Sequence, residues 1–198
     1  MADKRVLVAE DEALVRLDLV ESLTALGYEV VGEASDGVEA VALAKQHKPD
    51  VALLDIKMPN KDGLTAAAEI VEATGAAVVM LTAFSQVDMV EQACKVGTCA
   101  YLVKPYNEND LVPAIEMAKA RAAERKELAT EVKVLTEKLE SRKVIDRAKG
   151  KLIDGYAMAE QDAYRFIQQT AMRTRGTMTD VANQIISGEL TPDRQVRS

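Results

Sequence analysis

Tryptophan is absent from this 198-residue chain, histidine occurs once, and cysteine and phenylalanine occur twice each. One histidine and two cysteines speak against a zinc site, which draws on clustered Cys and His ligands. Cys94 and Cys99 flank a predicted helix-to-strand connection and read as reduced, partly buried thiols. No apolar run approaches the roughly 20 residues that a membrane-crossing helix needs. The opening Met1-Ala2-Asp3-Lys4-Arg5 lacks the pattern of a secretion signal. The expectation is a soluble, cytoplasmic protein with no membrane partner. Hydrophobic residues still make up 48% of the chain, which excludes general disorder and suits one large or two small domains.

Charge is unevenly spread. The net −7 combines residues 1–120, with 10 Lys/Arg against 20 Asp/Glu, and residues 121–198, with 15 against 12. From Arg142 to Arg175 there are eight basic and four acidic residues. Such a distribution allows nucleic-acid contact by the rear segment only. An ordinary solvated helical surface is the competing reading.

Strand-like runs at about 5–9, 29–34, 50–55, 77–82 and 100–104 alternate with helical patterns at about 13–26, 37–47, 63–73, 86–96 and from 107 onward. Five βα units argue for an α/β fold with a parallel sheet covered on both faces. Unbroken apolar strands such as Val51-Ala52-Leu53-Leu54 fit that burial. Neither Pro nor Gly interrupts Ala114–Lys149, so the last of these helices is expected to run on. Leu128, Val132, Leu135 and Leu139, at spacings of 4, 3 and 4, make a short coiled-coil seam. Either a second copy or the protein's own domains can cover it. Helical segments are predicted at roughly 128–153, 159–174 and 178–187, with Gly155 and Gly176 as stops and Thr179-Asp180 as the last entry. The tail from Thr191 reads as frayed.

The strand ends carry the chemistry. Val6-Leu7-Val8-Ala9 runs into Glu10-Asp11, and Leu53-Leu54 into Asp55-Ile56-Lys57-Met58-Pro59 before a helix near Gly63. Val78-Val79-Met80-Leu81 runs into Thr82, and Tyr101-Leu102-Val103 into Lys104-Pro105. Ligands of open parallel sheets bind beyond the carboxyl ends of the strands. Acid pair, lone acid, hydroxyl and lysine in this order resemble the receiver domain of two-component response regulators, over about residues 4–120.

That resemblance implies a flavodoxin-like (βα)5 fold with strand order 2-1-3-4-5, which brings Glu10, Asp11 and Asp55 together. Such carboxylates repel by about 4 kcal/mol per pair at 4 Å and an effective dielectric near 20. A hard divalent cation relieves the repulsion, and oxygen ligands with an open sphere favour Mg2+. The family geometry implies Asp11, Asp55 and the Lys57 carbonyl as direct ligands, with Glu10 acting through water. Glu10 departs from the Asp that receivers more often carry. Asp55 is then the acceptor of a phosphoryl group from a sensor histidine kinase. Lys104 neutralises phosphoryl oxygens, aimed by a cis Lys104–Pro105 bond, and Thr82 bonds the acyl phosphate while Tyr101 moves inward. His47 reads as an exposed helix end rather than a phosphorelay histidine. Without an ATP-binding region the chain is not its own kinase; it catalyses no reaction beyond its own phosphoryl transfer and dephosphorylation.

Leu139 through Leu152, followed by Asp162-Ala163-Tyr164-Arg165-Phe166-Ile167, Ala171-Met172 and Asp180-Val181-Ala182, resembles the ANTAR domain, an RNA-binding antitermination module. The resemblance covers about residues 130–190 and implies a three-helix bundle that binds hairpin loops in leader transcripts. Ala159 stands where the family commonly has a Ser or Thr cap. Independently, Ile145, Ala148 and Leu152 form one apolar stripe, and Lys143, Arg147 and Lys151 stand on the opposite side. Arg142 and Lys149 flank the stripe and could bridge to a neighbouring helix end. Arg173 and Arg175 suit either a helix dipole or RNA. Gly150 in mid-helix suggests close approach of a partner helix or RNA backbone. Aromatic stacking candidates are few: Tyr156, Tyr164 and Phe166, the last two read as core.

The resulting expectation is a receiver at 1–120, a helical linker or coiled coil at 121–140, an ANTAR bundle at 130–190 and a flexible tail at 191–198. Phosphorylation would act through a homodimer or by unmasking the rear domain. Two other functions remain open: a DNA-binding regulator and a protein-binding adaptor or phosphoryl sink. For the first, Met178–Ser187 offers only Asn183 and Gln184 to base edges.

Overall fold

The computed structural model describes residues 4–83 and 100–192. The helix predicted at 86–96, Cys94, Cys99 and most of the tail lie outside the described residues. The front unit contains β1 (Arg5–Ala9), α1 (Ala13–Ala25), β2 (Glu29–Ala34), α2 (Gly37–His47), β3 (Val51–Asp55), α3 (Gly63–Thr74), β4 (Ala77–Ala83) and β5 (Ala100–Lys104). A single helix, α4, then runs from Glu108 to Tyr156, followed by α5 (Glu160–Thr174) and α6 (Met178–Ser187). Contacts divide the chain into two compact units, 1–129 and 130–198.

All strand pairs are parallel, in the order β2-β1-β3-β4-β5. This is the flavodoxin-like arrangement. Alternate residues of each strand enter opposite faces. Leu7, Leu54, Val78 and Met80 pack with Ala40, Ala44, Ala66 and Ile70 of α2 and α3. Val6, Val8, Leu53, Val79 and Leu81 pack with Leu19 and Leu23 of α1 and with Leu111 and Ile115 of α4. The central strands β1, β3 and β4 are dry on both faces, which is why their sequences are apolar without alternation, while the edge strands β2 and β5 are partly exposed.

In the rear unit Ala148 and Leu152 of α4 meet Ala163, Ile167 and Ala171 of α5 and Val181, Ala182 and Ile185 of α6. Four local expectations change here. Gly155 is inside α4, and the turn falls on Ala157 with φ 52°, because the helix continues through Tyr156. Arg175, not Gly176, takes the left-handed position after α5, at φ 55°. α6 is entered at Thr177, whose hydroxyl and the Asp180 carboxylate close a reciprocal capping box. A Cβ on Gly150 would meet nothing within 4 Å, so no partner helix requires that glycine. α5 does start at Ala159 without a side-chain cap.

Candidate functional site

Strand order sets the site. Ala9 pairs with Leu54, so Glu10 and Asp55 leave neighbouring strands side by side. Asp55 pairs with Leu81, one residue before Thr82, and Ala83 pairs with Lys104. One oxygen from each of Glu10, Asp11 and Asp55 lies within 4.8 Å of the others. Glu10 is fully buried, Asp55 is 8% exposed, and Asp11 is open to solvent.

Lys104 joins two of these acids: Nζ donates to Glu10 Oε2 at 2.5 Å and to Asp55 Oδ1 at 2.6 Å. The other Asp55 oxygen, Oδ2, accepts the Lys57 N–H at 2.8 Å. Three carboxylates and one ammonium leave the cluster with excess negative charge. Burial raises the Glu10 carboxyl above the usual range, with Lys104 pulling it down. Burial alone would depress the Lys104 ammonium, but its bonds to Asp55 and Glu10 carry it above its ordinary value. Tyr106 is pushed up to about 12, chiefly by burial.

The loop after Asp55 is closed tightly. The Gly63 N–H donates to the Ile56 carbonyl at 2.8 Å, and Asp62 caps α3 by accepting the Thr65 N–H at 2.8 Å. A Cβ on Gly63 would fall 1.9 Å from the Asp55 carbonyl oxygen, so this approach requires glycine. Asn60, at φ 63°, donates Nδ2 to Asp36 Oδ2 at 2.8 Å and ties the loop to the start of α2. Thr82 is fully buried, and its hydroxyl donates to the Ala83 carbonyl at 3.1 Å. Tyr101 is half-buried against the core, and the Lys104–Pro105 bond is cis.

The rear cations sort into two groups. Lys149 Nζ binds Asp146 at 2.8 Å and Glu160 at 2.9 Å, bridging α4 to the start of α5. Lys151 Nζ donates to the Ile186 carbonyl at 2.6 Å near the end of α6. Lys143 pairs with Glu140 at 2.6 Å, and Arg142 lies 3.9 Å from Asp146. Arg147, Arg173 and Arg175 are exposed and make no ion pair among the described residues.

The family model of the response regulator receiver domain matches residues 6–116, and that of the ANTAR domain matches residues 133–186. The chain is 52% identical over 189 residues to the transcriptional regulatory protein PdtaR of Mycobacterium tuberculosis, covering 96% of this chain and 92% of that protein. The chain belongs to the response regulators. Its receiver is 40% identical over 113 residues to chemotaxis protein CheY of Thermotoga maritima, covering 57% of this chain and 94% of that protein. Two solved structures are similar. A receiver domain of a modulated diguanylate cyclase from Desulfovibrio desulfuricans is 33% identical with TM-score 0.55, over 61% of this chain and 97% of that one. A chain of the CheX–CheY complex with BeF3 and Mg from Borrelia burgdorferi is 30% identical with TM-score 0.53, over 56% and 85%.

In this response regulator, Glu10, Asp11, Asp55 and Lys104 meet at the carboxyl end of the sheet with Thr82 on the adjoining strand end. Tyr101 lies back along β5 opposite Met80, and the seven rear cations do not form one set. Sequence reasoning missed Arg16, whose Nη1 donates to the Glu10 carbonyl at 2.5 Å and whose Nε lies 3.8 Å from Glu33. No spacing rule marks such a contact. It also missed Tyr164, expected in the core but 45% exposed; Phe166 does pack on the core. Among the described residues no helix is long and apolar enough to cross a membrane.

Proposed function

We propose that this chain is a phosphorylation-controlled RNA-binding regulator: a sensor histidine kinase phosphorylates Asp55, and the protein then binds hairpin loops in leader transcripts and prevents transcription termination. The observation that carries this is the convergence of Glu10, Asp11, Asp55 and Lys104 at one strand-end cluster, in a chain whose rear segment matches the ANTAR domain.

An Asp55 carboxylate oxygen attacks the phosphorus of a phosphohistidine; the P–N bond breaks as the O–P bond forms, and the imidazole leaves. Lys104 is placed to follow the new phosphoryl oxygens. The surplus of hard oxygen donors from Glu10, Asp11 and Asp55 fits Mg2+. Asp11, Asp55 and the Lys57 carbonyl would hold the ion, and Glu10 would support it through water. That ion supplies neutralisation of phosphoryl charge when bound. The similarity to the magnesium-containing CheY complex supports this assignment. Thr82 would turn from the Ala83 carbonyl to the acyl phosphate, and Tyr101 would move with it. Leu14, 82% exposed on α1 just beyond Asp11, offers the kinase an apolar contact. The chain accepts a phosphoryl group and turns over no external substrate.

Leu128, Val132, Leu135 and Leu139 are 52–61% exposed, an uncovered apolar seam that a second copy of the chain could cover. That phosphorylation triggers this pairing, and that it takes place in the cytoplasm, are parts of the same proposal. The same exposure keeps the adaptor reading in play. The DNA-binding reading is disfavoured, because α6 carries no Lys or Arg. The deciding experiment phosphorylates the full chain with acetyl phosphate and Mg2+, then titrates hairpin RNA and duplex DNA at several salt concentrations. Salt-dependent binding of hairpins alone is expected. Binding of neither ligand by the phosphorylated chain would leave the adaptor.

A further inference from the structure

One aromatic ring of the rear unit has no core to fill. α5 directs Ala163 and Ile167 into the bundle, both fully buried, yet Tyr164 between them is 45% exposed. Tyr164 lines an open groove of about 670 Å³ along α4, with Val134 and Ile145 as apolar walls and Lys138 and Arg142 as cations. Lys149 also reaches this groove but is already held by Asp146 and Glu160 at 2.8 and 2.9 Å. Arg142 is far less committed: it lies 3.9 Å from Asp146, and its side chain is 83% exposed.

We propose that this groove seats one unpaired nucleotide of an RNA loop, with the base stacked on Tyr164 and its phosphate between Lys138 and Arg142. This rests on the RNA-binding reading above and names, within it, the place where a base is held. Specific RNA recognition targets splayed loop bases, which stack on exposed rings beside cations. A volume of this size suits a ligand no larger than a nucleotide or two. The acids fix the mode further. Glu137 and Asp146 share the groove, so a phosphate backbone running its whole length would meet two carboxylates. A single inserted nucleotide avoids them, and its base amino groups can donate to them.

The test uses the full chain with acetyl phosphate and Mg2+. A hairpin is selected by the wild-type protein from a pool with a fixed stem and a randomised loop, and its binding by Tyr164→Ala, Tyr164→Phe and Arg142→Gln is measured. Tyr164→Ala should weaken binding by about fivefold to a hundredfold, the span of one lost stacking contact. Tyr164→Phe should retain affinity within about twofold, since the ring face remains. Arg142→Gln should weaken binding and flatten its salt dependence by roughly one unit of slope or less. Thermal melting of each variant separates lost contact from lost fold. A 2-aminopurine in the loop should be quenched by the wild type and not by Tyr164→Ala. If the wild type selects no hairpin, the RNA-binding reading falls and this assignment with it. If it binds and Tyr164→Ala binds equally, only this assignment falls. It falls also if Tyr164→Ala changes self-association alone, because the groove then belongs to a second copy of the chain.

Discussion

Replacing Gly63 by alanine asks how tightly the chain closes on its phosphoacceptor. The new methyl carbon would lie 1.9 Å from the Asp55 carbonyl oxygen and 2.8 Å from its carbonyl carbon. Both are backbone atoms of a fully buried central strand, so no rotamer change relieves the contact. Since real Cβ contacts stay above 3.0 Å, the first turn of α3 must retreat by about 1 Å or more. Overpacking of this kind typically costs about 1–3 kcal/mol, a visible share of the roughly 5–15 kcal/mol that holds a domain folded. The displacement also reaches the chemistry. Gly63 N–H anchors the loop that carries Lys57, whose own N–H holds Asp55 Oδ2 at 2.8 Å. A misplacement near 1 Å can slow a positioned reaction about a hundredfold. Urea unfolding followed by circular dichroism should show a lower midpoint with an unchanged slope. Labelling from acetyl phosphate in Mg2+ should slow by about one to two orders of magnitude under conditions where the variant is folded. Gly75→Ala is the control: it meets nothing within 4 Å and sits at φ 73°, so it should lose stability without slowing labelling. A Gly63→Ala chain with both wild-type midpoint and wild-type labelling rate would refute the steric argument.

Asp55→Asn should abolish acid-stable phosphate incorporation while leaving the circular dichroism spectrum unchanged; incorporation at the wild-type level would move the acceptor elsewhere. Chelation by EDTA should stop incorporation and excess Mg2+ restore it, whereas metal-independent labelling would contradict the ligand assignment. Gly150→Ala should stabilise the rear bundle by up to about 1 kcal/mol, because the site is helical and open; destabilisation would show a close neighbour there. The hydrogen bond from the Thr177 hydroxyl holds the Asp180 carboxyl below the usual carboxylate range. A lowered folded pKa contributes stability that is present above the unfolded value near 4 and lost as pH falls through the folded value. Asp180→Asn should therefore reduce the pH dependence of the rear unit's melting below about pH 4, leaving the part owed to Asp146, which its Lys149 hydrogen bond also holds below the usual range, and should leave neutral-to-alkaline pH dependence untouched. Arg147→Gln, Arg173→Gln and Arg175→Gln should each reduce the salt slope of RNA binding by up to about one unit, while Lys149→Met should lower bundle stability, since Lys149 bridges α4 and α5.

The receiver was legible and the rear surface only partly so, and the difference is physical. In a parallel sheet the central strands have two buried faces, so their apolar runs are continuous and the first polar residue marks the strand end, and even the half-exposed edge strand β5 stays apolar or aromatic up to Lys104. Glu10, Asp55, Thr82 and Lys104 each occupy that boundary, but the strand order that brings them together came from the receiver resemblance and not from the residues' own pattern. Helix surfaces give no such boundary. The 3.6-residue period placed Ala148 and Leu152 in the core correctly, because burial follows the helical phase. The same period placed Lys143, Arg147 and Lys151 on one face but could not say which would be consumed internally. Lys151 is spent on the Ile186 carbonyl, thirty-five residues away in sequence, and Lys149 on Glu160 across a turn. Tyr164 escaped for a related reason: a ring next to Ala163 and near Ile167 has the composition of a core residue, yet it is 45% exposed while those two are fully buried. Turn residues failed locally too. Glycine was expected at the left-handed positions after α4 and α5, yet Ala157 and Arg175 occupy them at φ 52° and 55°. A helix end held by packing on both sides can impose that backbone on a residue with a Cβ, at a cost of about 1 kcal/mol or slightly more. Ala157→Gly and Arg175→Gly should then each raise the rear unit's melting temperature, and if neither does, the left-handed turns carry less strain than their φ values imply.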